Sequence, residues 1–126
     1  MMADKLTSKA QRNGEGENQR IMQLNHPYST TNWFVTANSE EEFVVRWTAL
    51  AEWVLNNVGG AKSAVLVRST EDPRRFLSIV TWETQEAWEA WRERFEMQEL
   101  FERCRELCEE FEVHAYTLAA RARAGK

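Results

Sequence analysis

The chain has 126 residues and a formal net charge of −4, with 16 Lys and Arg set among 20 Asp and Glu. That balance offers no basic stripe for a nucleic acid, and no apolar run approaches the roughly 20 residues that cross a bilayer. The N-terminus lacks the apolar centre of a signal peptide, so a cytoplasmic protein without a membrane or nucleic-acid partner is expected.

Up to about residue 30 the sequence has no hydrophobic period, and Asn25, Pro27 and Ser29 punctuate it. Residues 1–30 therefore read as a disordered or loosely docked arm, 31–119 as one domain, and the basic stretch 120–126 as a solvated tail. "NWFVTA" opens the domain as a short strand from Asn32. Asn38 or Ser39 then caps a helix whose first turn holds three Glu, which suit the positive end of the helix dipole. Phe43, Trp47, Leu50 and Val54 recur at helical spacing as one buried stripe, and "NNVGG" ends the helix. Trp53 falls beside that stripe.

"AKSAVLVR", the turn "STEDPR" and "RFLSIVTW" form a hairpin. Thr84 caps the next helix, with Ala87, Trp88, Trp91 and Phe95 as its apolar stripe. The phase then slips to Leu100, Cys104, Leu107, Cys108 and Phe111, which predicts a break at residues 96–98. "EVHAYTL" supplies the last strand. Cys104 and Cys108, four apart, are expected as two thiols on one helix face rather than as a disulfide. His26 and His114 stand at no metal-ligand spacing from them, so neither a metal nor another cofactor is expected.

Strand, helix, strand, strand, helix pair, strand is the split ferredoxin-like order, an α+β fold. It predicts a four-stranded antiparallel sheet with helices on one face. The third strand is apolar on both sides, with Phe76, Val80 and Trp82 against Leu77 and Ile79, and Val65 and Val67 continue the second side. Two helices screen one face only, so the other is expected to be covered in a two-fold homodimer.

The stretch "WETQEAWEAW" holds three of the six Trp of the chain. Large rings each bury about 150–250 Å² and supply much of a small core, so packing is one reading of the cluster. The runs "FVTANSEEEFVVRW" and "AKSAVLVRSTEDPRRFLSIVTWETQEAWEAW", followed by a charged helix and a terminal strand, support another. Over about residues 32–118 this pattern resembles the antibiotic biosynthesis monooxygenase domain of the dimeric α/β-barrel superfamily. The most specific part is the hairpin "RSTEDPRRFLSIVTWET" running into "EAWEAW". There the family has an R-S-x-x-D-P loop, a strand ending in W-E-S and an aromatic-rich helix start.

The resemblance implies a homodimer with a pocket between sheet and helices in each subunit. In quinone-forming members that pocket holds a flat phenolic or anthrone-like polyketide, which dioxygen oxidises without metal or flavin. A deprotonated, electron-rich phenol can itself pass an electron to oxygen, leaving the protein to bind, deprotonate and exclude water. Trp82 matches the Trp of the strand-end motif. Ser78 stands where those members carry an Asn that bonds substrate oxygens, and a hydroxyl can still donate or accept at shorter reach. Trp88 stands where they carry a Tyr. A haem-degrading branch uses an Asn on the first strand, a Trp on the second helix and a His on iron. Asn32 lies near the first and Trp91 matches the second, but "LFERCREL" has no His, which sets haem degradation aside.

His114, in register with Tyr116, is the one His expected within the folded region, and histidine exchanges protons near neutral pH. Trp82, Ser78 and His114 are thus the catalytic candidates, and Trp88, Trp91, Asn32 and Tyr116 the substrate contacts. The implied activity is cofactor-independent oxidation of a small aromatic, phenolic or quinol substrate. It requires a cavity of a few hundred Å³ between sheet and second helix, lined by Trp82, Ser78 and Trp88. The alternative is a non-catalytic dimeric ligand-binding or accessory module of the same fold, its pocket filled by the bulk of Trp88.

Overall fold

The computed structural model describes residues 27–125. Its elements are β1 (Pro27–Val35), α1 (Glu40–Asn57), β2 (Ala61–Arg68), β3 (Arg75–Trp82), α2 (Gln85–Arg92), α3 (Phe95–Arg105) and β4 (Cys108–Thr117). The strands form one antiparallel sheet in the order β2-β3-β1-β4, the ferredoxin-like α+β arrangement that the element order predicts. Among the described residues no helix is long and apolar enough to cross a membrane.

Alternation along the strands divides the two faces. Ser29, Thr31, Trp33 and Val35 of β1 are buried beneath the helices, as are Phe76, Ser78 and Trp82 of β3. Five of the six Trp lie in this core, and each fully buried ring needs a partner for its N–H. The Trp33 indole donates to Ser78 Oγ at 3.1 Å, and the Trp82 indole donates to Ser29 Oγ at 3.0 Å. Trp88 and Trp91 are also buried, yet their ring nitrogens have no acceptor.

Phe43, Trp47, Leu50 and Val54 form the buried stripe of α1, as their spacing predicts. Asn38 turns the chain into this helix at φ 73°, a left-handed conformation that Asn tolerates better than most residues. Beyond the helix Gly60 adopts φ +94°, and a Cβ on it would lie 2.5 Å from Ala87 Cβ. The start of α2 therefore rests directly on this turn. Thr84 caps α2 by accepting the Ala87 N–H at 3.0 Å. In the β2–β3 turn Ser69 Oγ accepts from the Glu71 and Asp72 N–H groups, and Asp72 Oδ1 accepts from that of Arg74. Across the helices, Arg46 donates to Glu42, Glu106 and the Arg103 carbonyl, tying α1 to the end of α3.

Three boundaries differ from the sequence expectation. β1 starts at Pro27 rather than Asn32, so residues 27–30, expected in the arm, belong to the sheet. This strand is hydrogen-bonded on both sides, to β3 and β4, and that ladder carries it through "PYSTT", which has no apolar signature. The rest of the expected arm, residues 1–26, lies outside the described residues. The helix break falls at residues 93–94, where Arg94 takes an extended conformation at φ −72° and ψ 131°. Phe95, expected in the α2 stripe, is consequently 67% exposed, and Met97 takes the buried position. Finally, α3 stops at Arg105 and Cys108 opens β4, so the two cysteines do not share a helix. The period-two run of Phe111, Val113 and Ala115, all facing the helices, explains why this stretch is strand.

The indole–serine bonds separate two classes of tryptophan. Trp33→Phe and Trp82→Phe are expected to lower the unfolding free energy by about 2 kcal/mol, through lost ring volume and an abandoned serine hydroxyl. Trp88→Phe and Trp91→Phe, which forfeit no bond, should cost about 1 kcal/mol less. Urea unfolding followed by circular dichroism measures all four, and equal costs would show that the bonds contribute nothing.

Candidate active site

A cleft of about 370 Å³ opens between the β4 side of the sheet and the α2–α3 pair. Its floor is Ser29 and Thr31 of β1 with Phe111 and Val113 of β4, and its roof is Trp88 and Trp91 of α2 with Met97 and Phe101 of α3. The space follows from side-chain size. Small polar residues occupy the inward positions of β1 here, whereas the bulky rings of Trp33 and Trp82 sit over the β3 side. The volume lies in the range of small-molecule sites. It exceeds the roughly 150 Å³ that holds benzene, leaving room for about two fused rings.

The polar groups gather along the α2–α3 wall. Arg105 grips Glu102 through two bonds, of 3.1 and 2.8 Å, and Glu102 is the one carboxylate among the lining residues. The Arg92 guanidinium lies 4.9 Å from the centre of the Trp88 ring. On the floor, Ser29 Oγ accepts from Trp82 and keeps its own proton to give.

Of the residues expected from the sequence, Trp88 and Trp91 line this cleft. Trp82, 0% exposed, lies one layer behind, packed on Trp91 at 5.2 Å. Ser78 does not line the cleft; it borders an adjoining space of about 30 Å³ and is engaged by Trp33. Asn32, His114 and Tyr116 stand on the far side of the sheet, because Thr30 pairs with His114, Tyr28 with Tyr116, and Asn32 with Glu112. There His114 Nε2 lies 3.4 Å from Glu112 Oε1, and Tyr116 is 54% exposed. The sheet lies between His114 and the cleft. The sequence does not single out Ser29, Arg92, Glu102 or Phe111, which also line the cleft. The alternation of Ser29, Thr31 and Trp33 was the available signal, masked by the polar character of the strand.

The match between chain and family covers every lining residue of the cleft except Arg105, Phe111 and Val113. A family model described as antibiotic biosynthesis monooxygenase matches residues 29–103. The chain belongs to that family.

Solved structures agree on the fold. SnoaB of Streptomyces nogalater, a cofactor-independent oxygenase, superposes with a TM-score of 0.69 at 15% identity, over 81% of this chain and 99% of that one. A Bordetella bronchiseptica protein whose name places it provisionally among the antibiotic biosynthesis monooxygenases gives 0.65 at 22% identity, over 72% and 94%. A conserved protein of Methanosarcina mazei gives 0.69 at 16%, over 77% and 96%. No curated protein matches the chain.

Within this member of the family the thiols are quiet. Burial pushes Cys104 up to about 12, with the Cys108 thiol adding to the shift, and burial pushes Cys108 up to about 11. The thiolate is the reactive form, so both should resist a disulfide reagent at pH 8 until the protein unfolds. A raised folded value stabilises the protein fully below the unfolded value of 9.0, and that contribution is lost as pH rises toward 11 to 12. The urea midpoint should accordingly fall between pH 9 and 11, and less steeply in Cys104→Ala. A slope unaltered by that substitution would assign the alkaline loss to other groups.

Proposed function

We propose that this chain is a cofactor-independent monooxygenase that oxidises a small phenolic or quinol ring with dioxygen inside the cleft. The observation that carries this reading is the cleft itself, roofed by two Trp and open to a ligand of about two rings. A phenol with a free para position loses its hydroxyl proton, and the phenolate passes electrons to dioxygen. One oxygen atom becomes the second quinone oxygen, the other leaves as water, and the ring supplies all four electrons. Glu102 is the acceptor for the phenol proton, since it is the only carboxylate in the wall. The Ser29 hydroxyl faces the ring from the floor. The unpartnered indoles of Trp88 and Trp91 are the donors that a small ring displacement would offer to quinone oxygens, relieving about 1–3 kcal/mol of unmet hydrogen bonding each.

A second reading, a ligand-binding module without catalysis, is favoured by one observation. Trp82 and Ser78, the motif positions nearest the family's chemistry, are both engaged within the core. Oxygen uptake with 1-naphthol or 1,5-dihydroxynaphthalene separates the two. Catalysis predicts protein-dependent uptake and quinone absorbance, falling at least a hundredfold in Glu102→Gln with binding retained. Binding without uptake would leave the module, and no binding at all would end both readings.

The same proposal includes a homodimer through the outer face of the sheet. Val65 and Val67 are each 49% exposed there, beside half-buried Leu77 and Ile79. An apolar face of this kind on a single subunit calls for a cover, and a second copy presents a self-complementary one. Sedimentation should give a dimer that Val67→Glu with Ile79→Glu converts to folded monomer. A monomer at micromolar concentration in the unsubstituted chain would refute the arrangement.

A further inference from the structure

The lining of the cleft carries a charge opposite to that of the chain. Arg92 and Arg105 stand against Glu102 in its walls, while the whole sequence has a net charge of −4. Arg105 and Glu102 neutralise each other through their two-pronged contact. Arg92 has no ion-pair partner among the described residues, although nine other charged groups on the helices, strands and turns do. Instead its guanidinium stacks over Trp88, the ring that roofs the cleft. Stacking orients the plane of the fork and leaves its N–H edge facing solvent, free to take an anion.

We infer that Arg92 is a specificity-determining residue, and that the ligand of this cleft is an aromatic ring bearing a carboxylate. The inference rests on the proposed aromatic site and adds the anionic substituent. A planar guanidinium pairs a carboxylate through two parallel bonds, a geometry that an ammonium group lacks. At the lip of an apolar cleft a single unmatched cation also concentrates anions locally. A ring between Trp88, Trp91 and Phe111 would place a substituent of its outer edge toward Arg92, with the opposite edge over Ser29. An uncharged ring would gain the stacking and forgo the pair.

Arg92 also lies in the last turn of α2, where a cation complements the helix dipole. A test must separate that structural role from recognition. The probes are 1-hydroxy-2-naphthoate and 1-naphthol, titrated against the full chain by quenching of tryptophan fluorescence. The expected result is about tenfold tighter binding of the naphthoate at low salt, a preference that shrinks as salt is added. In Arg92→Gln the ratio of the two affinities should collapse to about one. Arg92→Lys, which keeps the helix-end charge but not the fork, should give an intermediate ratio. Urea unfolding of each variant reports the dipole contribution separately. Equal binding of the two probes by the unsubstituted chain overturns the inference while the aromatic site stands, as does a preference that survives in Arg92→Gln. Failure of both probes to bind removes the aromatic site and the inference together.

Discussion

Two diagonal hydrogen bonds between neighbouring strands set the rest of the molecule in place. β1 and β3 each contribute one tryptophan and one serine to the inner face, and each indole donates to the serine of the other strand. The diagonals follow from register. Trp33 pairs with Phe76, so Ser78 is the next inward residue of β3; Ser29 pairs with Val80, so Trp82 is the next inward residue beyond it. A tryptophan buried to 2% or less must satisfy its N–H inside the protein, and once it does so its ring can no longer turn. The fixed rings then seat the helices. Trp33 lies 5.1 Å from Phe43 of α1 and 5.1 Å from Phe101 of α3, and Trp82 lies 5.2 Å from Trp91 of α2.

The cleft is a consequence of that seating. Large rings concentrate over β3 and the Trp33 end of β1, while Ser29 and Thr31 leave the neighbouring part of β4 incompletely covered, and Phe111 and Val113 remain 37% and 47% exposed. The break at residues 93–94 keeps α3 from continuing the axis of α2, which sets Met97 inward and Phe95 outward. Packing prevails over hydrogen bonding at Trp88 and Trp91, whose donors go unmatched. Burying two such rings recovers several kcal/mol at about 25 cal/mol per Å², more than two unmet donors cost. The roof is therefore stable without a ligand and still has bonds to gain from one.

The fold was legible because its signals are repetitive. The α1 stripe, the Ser69–Asp72 turn and the Thr84 cap each depend on residues within one or two turns of chain, and all three stand as their sequences predict. Boundaries set by distant partners were not legible. β1 extends to Pro27 because strands lie on both sides of it, and Cys108 joins β4 because Val35 pairs with it. The site was legible in half. Trp88 and Trp91 reach the cleft through helical spacing, but strand parity decides the rest, and one residue of phase carries a side chain to the opposite face. Asn32, His114 and Tyr116 are candidates by residue type alone, and their parity puts the sheet between them and the cleft.

That same parity gives Trp82 a connection to the cleft that direct contact does not. Its N–H is donated to Ser29 Oγ, and Ser29 is part of the floor. A hydroxyl that accepts a hydrogen bond becomes a better donor of its own, because successive bonds polarise one another in a poorly solvated interior. Trp82 thus reaches the cleft at one remove, through a serine from the neighbouring strand. Ser78, at the equivalent place in the other diagonal, accepts from Trp33 beside a space of about 30 Å³, too small for a ring. The two diagonals have the same chemistry and both serines border that small space, but only Ser29 also borders the larger cleft.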